Sequence, residues 1–220
     1  MDTINAADTV WVLVSAALVL LMTPGLALFY GGMVRSKSAL NMIMMSFTAL
    51  GVVTIVWVTV GYSLAFGTDS GWGLIGDLRE FGLTGTTDMV VGPPGHHIPL
   101  LAFAMFQLAF AIVTTALLSG AIADRPKYLA WIVFAAAWCL LVYVPAAHWA
   151  FALQGGSGGW ISDRLGALDF AGGTAVEINS GASALALALV VGRRIGFRKD
   201  PMRPHNVPFI LLGAGLLWFG

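Results

Sequence analysis

Glu177 is the residue of this 220-residue chain best placed to do chemistry, because its carboxylate sits inside an apolar stretch. A carboxylate there is costly to keep and marks a functional site. Gly181, Ala184 and Ala188 follow it at four, seven and eleven residues. On a helix they share its face and form a narrow strip of small side chains. Such a strip suits a pore wall or a close helix contact. The other reading of Glu177 is a neutral carboxyl hydrogen-bonded to a neighbouring helix. Asp169 precedes the same stretch, in Asp169-Phe170-Ala171-Gly172-Gly173-Thr174. An acid at that place caps a helix and complements its dipole; direct contact with a cation is the second reading. Phe103, Phe106 and Phe110 fall at i, i+3 and i+7, with Gln107 beside them. An aromatic stripe is ordinarily packing, yet each ring face attracts a cation by about 0.5–2 kcal/mol.

The remaining polar residues carry weaker signals. His96 and His97 are adjacent, with no carboxylate or cysteine at ligand spacing, so no metal site is expected. His148 stands beside Trp149, where an interfacial hydrogen bond is expected, and His205 stands at a helix start. The single Cys139 makes no internal disulfide. Neither a nucleophile–base arrangement nor a zinc or Walker motif is present. No enzyme activity and no cofactor are expected.

Elements that could position these residues follow from composition. The chain is 58% hydrophobic and only 10% charged, against about 25% charge in a soluble domain. That excludes an ordinary cytosolic enzyme and a disordered tail. Eleven basic and eleven acidic residues cancel, so bulk charge does not recruit nucleic acid. A spanning helix needs roughly 20 apolar residues. Segments 9–30, 42–66, 98–122, 128–151 and 174–191 meet or approach that length. A sixth, 207–220, would rise only about 21 Å against a hydrocarbon core of about 30 Å. The expectation is an all-α polytopic membrane bundle, and a chain that is part of a longer protein. The apolar runs are too long and too even for a transmembrane barrel.

Nine of the eleven basic residues, Arg35, Lys37, Arg125, Lys127, Arg193, Arg194, Arg198, Lys199 and Arg203, follow the odd-numbered segments. Only Arg79 and Arg164 lie opposite. The positive-inside rule makes the first side cytoplasmic and the N-terminus external. Asp2, Asp8, Asp69, Asp77, Glu80, Asp88, Asp163 and Asp169 then fall outside, where loops 67–97 and 152–173 are long. Thr23-Pro24-Gly25 lies inside the first segment, where proline removes one helix hydrogen bond and should kink it.

Several motifs together resemble one family. Met22-Thr-Pro-Gly-Leu-Ala-Leu-Phe-Tyr-Gly-Gly-Met-Val-Arg35, Phe106-Gln-Leu-Ala-Phe110, Leu168-Asp-Phe-Ala-Gly-Gly-Thr-Ala-Val-Glu-Ile-Asn179 and Pro204-His-Asn-Val-Pro208 through Leu217-Trp-Phe-Gly220 are similar to signatures of the Amt/Mep/Rh ammonium transporters, bacterial Amt branch. The resemblance covers essentially all of residues 1–220. It implies eleven helices built as two inverted five-helix repeats plus one, of which this chain is the first repeat and a truncated sixth helix. It implies a homotrimer in the inner or plasma membrane, carrying ammonium or ammonia, with a PII-type regulatory protein as a cytoplasmic partner. It places Phe106 and Gln107 in an outer vestibule, Phe110 in half of an aromatic gate, and Asp169 near the recruitment site.

Two departures from the family pattern matter. Phe151 stands where a vestibule tryptophan is usual, with Trp160 as a substitute to be placed. Glu177 stands where the first of two pore histidines is usual, as it does in some fungal Mep proteins. The resemblance thus implies ammonium recruitment, proton loss near the gate and passage of ammonia. The alternative it leaves open is an ammonium sensor, an Amt-like bundle joined to a signalling domain.

Overall fold

The computed structural model describes residues 3–194 and 196–220; Asp2, expected outside, lies beyond the described residues. Among the described residues five helices are long and apolar enough to span a membrane: α1 (Ala6–Met33), α2 (Ser36–Phe66), α3 (Leu100–Ala121), α4 (Tyr128–Phe151) and α5 (Gly173–Val191). A shorter apolar helix, α6 (Val207–Phe219), follows. The protein is an all-α, multi-pass membrane bundle, because in hydrocarbon only a helix satisfies its own backbone. Local chemistry sets the ends. Asn5 caps α1 by accepting the Asp8 N–H at 3.1 Å, and Asn206 caps α6 by accepting that of Phe209 at 3.0 Å. The helix α1 runs without a break through Pro24. Residues 98 and 99, expected in the third helix, instead form a short antiparallel ladder, β1 (Val90–Val91) with β2 (Ile98–Pro99). Pro99 then lets α3 start at Leu100.

Lipid tails are as apolar as leucine, so these helices need specific ties. Indole N–H groups provide three. Trp57 of α2 donates to the Ala104 carbonyl of α3 at 3.1 Å. Trp131 of α4 donates to the Met45 carbonyl of α2 at 2.8 Å. Trp138 of α4 donates to the Ser183 hydroxyl of α5 at 3.1 Å. The indole of Trp57 also meets Tyr143 with ring centroids 6.2 Å apart. Both residues lie in π-helical turns, Trp57–Gly61 and Cys139–Tyr143. The helix α3 is the hub, packing on α1, α2, α4 and α5. Close approach fixes α6 on α1: a Cβ at Gly25 would lie 2.9 Å from the Leu216 Cβ, and Gly213 faces the Gly25 carbonyl.

At the basic end, the Asp124 carboxylate is 3% exposed and accepts from Arg35 Nη2 at 3.2 Å, with Arg194 Nη1 at 3.9 Å. Arg35 also meets Asp200 at 3.6 Å. The turns after α1, α3 and α5 are thereby tied together. Of the five spans α5 is the least covered, and its open face carries Ile178, Leu185 and Leu189.

Candidate functional site

The two rings at i and i+4 on α3, Phe106 and Phe110, stack edge-to-face with centroids 5.1 Å apart. With Gln107 they form one wall of a cavity of about 180 Å3 at the long-loop end. The last residue of α4, Phe151, closes a second side. The segment entering α5 closes the third, through Phe170, Ala171, Gly172 and Val176. Four residues expected from the sequence to act together therefore do meet. Phe170, which no spacing in the sequence marks, joins them, its ring fully exposed at the rim. Among the described residues the lining holds three phenyl faces, the exposed Phe170 ring and one primary amide, with no charged side chain. Such a lining is chemically suited to a small cation, which ring faces attract and no basic group repels.

Asp169 stands behind this wall. Its Oδ2 accepts the backbone N–H groups of Thr174 at 3.0 Å and Ala175 at 3.1 Å, two donors that the start of α5 would otherwise leave unpaired. Gly172 makes the entry sharp: its φ of 88° is left-handed, and its carbonyl accepts the Val176 N–H at 2.7 Å. The first turns of α5, Gly173–Ile178, are π-helical, a geometry found often at functional sites. Glu177 lies in that stretch but does not line the cavity; it is exposed on the open face of α5, directly after the lining residue Val176. Trp160 does not line the cavity either. It packs on Trp149 with centroids 5.9 Å apart.

A polar cluster lies around the end of α4 that carries Phe151. His148 is completely buried. Its Nδ1 lies 2.9 Å from the Ala65 carbonyl and its Nε2 3.3 Å from Asp69 Oδ1. Arg164 donates to Asp69 Oδ2 at 3.0 Å. Gln154 accepts the Asp69 N–H at 2.9 Å and donates to the Gly67 carbonyl at 2.8 Å. Burial pulls the Asp69 carboxyl up, but the Gly73 and Gly71 backbone N–H groups and the His148 ring outweigh it and hold the carboxyl below its usual range. Asp163 is held below that range by the backbone N–H groups of Gly158 and Gln154, joined by Gly156 and Ser157. Elsewhere His96 Nδ1 meets Asp8 at 2.8 Å, and His205 Nδ1 lies 3.0 Å from the Val34 carbonyl. Among the described residues no group of three or more His, Cys, Asp or Glu could hold a metal ion.

The apolar spans and the aromatic cavity at one end define a polytopic helical membrane protein. The model of the Ammonium Transporter Family matches residues 10–220, and the chain belongs to that family. An ammonium transporter of Mycobacterium bovis is 54% identical over 232 residues, covering 98% of this chain and 49% of the relative. The crystal structure of Saccharomyces cerevisiae Mep2 superposes with a TM-score of 0.86 at 36% identity, covering 99% of this chain and 48% of that one. A solved Sensor Amt Protein superposes with a TM-score of 0.82 at 29% identity, covering 96% and 52%. The chain spans about half the length of the curated relatives it matches.

Proposed function

We propose that the protein transports ammonium, recruiting the cation at the aromatic cavity and passing it on as ammonia. One observation carries this reading: Phe106, Gln107 and Phe110 from α3 and Phe151 from α4 converge on one small cavity without a basic group. The energetics favour a step of deprotonation. A bare cation in a low-dielectric pore faces a Born cost of order 20 kcal/mol before relaxation. Releasing a proton from an amine-like group at pH 7 costs roughly 3 pH units, or about 4 kcal/mol. Ring faces at about 0.5–2 kcal/mol each can hold the ion at the mouth but cannot carry it through.

In this reading the long-loop end faces outward with the N-terminus, as the basic residues of the other end support. The apolar open face of α5 is covered by the rest of the protein, so that Glu177 enters a conduit in the place of a pore histidine. There it binds the passing species or takes part in moving the released proton. Family membership supports a homotrimer in the inner or plasma membrane and a PII-type partner at the cytoplasmic face. The likeness to the Sensor Amt Protein supports a second reading, an ammonium sensor joined to a signalling domain.

Uptake of labelled methylammonium by cells lacking their own ammonium transporters tests the first reading. Saturable uptake, competed by ammonium and lost in Glu177→Ala, is expected. Absence of uptake by protein correctly inserted in the membrane refutes transport. An ammonium-dependent signal without flux would establish sensing instead.

A further inference from the structure

We infer that His148, Asp69 and Arg164 form a clasp that holds Phe151 in the wall of the recruitment cavity, so that they set the affinity for the cation without touching it. The inference rests on the recruitment reading above. Phe151 is the last helical residue of α4, and helix ends fray unless something ties them. Phe151 rests against the hydrophobic core, and a polar network adds to that packing. His148 lies three residues earlier, on the adjoining helix surface, and is completely buried. Each of its ring nitrogens faces an acceptor, the Ala65 carbonyl at 2.9 Å and Asp69 Oδ1 at 3.3 Å.

The second oxygen of Asp69 accepts from Arg164 at 3.0 Å, so the loop after α2 and the loop after α4 close on the same carboxylate. Three residues beyond Phe151 the chain is held again: Gln154 joins the Asp69 N–H and the Gly67 carbonyl at 2.9 and 2.8 Å. The backbone that carries Phe151 is thus held three residues before it and three residues after it in sequence. Sealing a helix end needs only apolar contacts, whereas burying an imidazole and a carboxylate behind it carries a desolvation cost. A directional network of this kind suits the exact seating of one ring, as groups behind a binding site commonly do. None of the three residues lines the cavity.

The test uses the native-length protein in cells, with methylammonium uptake measured against concentration and normalised to the amount in the membrane. Arg164 is a third exposed, so Arg164→Gln opens the clasp with little demand on the core; Asp69→Asn opens it at the centre. Each should raise the half-saturating concentration about three- to tenfold while the maximal rate per transporter stays level. Arg164→Lys should restore the parent value. In a Phe151→Leu background the same substitutions should add nothing, because the ring they seat is gone. An unchanged half-saturation in Arg164→Gln, a fall in maximal rate alone, or a full effect persisting on Phe151→Leu would each overturn the clasp. If Asp69→Asn fails to reach the membrane, Arg164→Gln decides. Should Phe151→Leu raise half-saturation while the clasp variants do not, only the clasp falls; should Phe151→Leu itself be silent, the recruitment reading falls with it.

Discussion

Replacing Phe151 by leucine removes a π face from the cavity while keeping an apolar side chain of similar bulk. Phe151 is half-buried and rests against the core, so the change in packing is expected to cost less than about 1.5 kcal/mol. The lost attraction is that of one ring for one cation, about 0.5–2 kcal/mol depending on how far both are desolvated. At about 1.4 kcal/mol per factor of ten, half-saturation should rise about 2- to 30-fold. The rate at saturation should not change, because the ring acts before the proton is lost. Phe151→Trp should move half-saturation the other way, since indole offers the strongest face. Uptake of labelled methylammonium over a range of concentrations, corrected for membrane protein by immunoblot, separates the two parameters. A leucine variant with unaltered half-saturation, or one in which only the maximal rate falls, would refute recruitment by ring faces.

Glu177→Ala should abolish ammonium-dependent flux or uncouple it from charge movement, and unchanged currents would remove Glu177 from the conduit. Glu177→His should keep flux but alter its dependence on pH; an identical profile would exclude a titrating role. Gly213→Leu forces α6 away from α1, where the glycine faces the Gly25 carbonyl. Overpacking of this kind costs about 1–3 kcal/mol and should lower the unfolding temperature in detergent, which a level melting curve would contradict. Arg35→Ala removes the nearer of the two ion-pair partners that the buried Asp124 carboxylate has among the described residues, leaving Arg194 at 3.9 Å. Breaking such a pair costs about 3–5 kcal/mol, and the unfolding temperature should fall accordingly; Asp124→Asn in the same background should recover part of it. The depressed Asp69 and Asp163 carboxyls stabilise the long-loop end fully above the ordinary aspartate value of about 3.9, and that contribution is lost as the pH falls from there through their lowered values. Hydrogen exchange in 67–76 and 152–165, corrected for intrinsic rate, should rise over that window and not between pH 6 and 8.

The helices are readable from the sequence because long apolar runs between charge clusters admit no other structure in a membrane. Their ends are less so. Asn5 and Asn206 act as caps through single hydrogen bonds, and Ile98–Pro99 joins a ladder that periodicity does not announce. The π-helical turns at Trp57 and Cys139 leave no mark in composition. In the candidate site, spacing alone puts Phe106 and Phe110 on one face, while Phe151 came from family resemblance. Phe170 carries no spacing signal, because it sits in an irregular segment that only the fold brings to the rim. The Asp69–His148 and Asp69–Arg164 pairs join residues 79 and 95 positions apart. No local pattern reports such distances. Glu177 stands out in the sequence as costly in lipid, and among the described residues it is exposed on the least covered of the five spans.

The seam between α1 and α6 has a bearing on biosynthesis. Gly25 leaves the ribosome 188 residues before the Gly213 that closes over it. At about 5–20 residues per second, the notch in the first helix waits roughly 10–40 s for its lid. Through that interval the notch faces acyl chains or the insertion machinery, which α6 displaces as it docks.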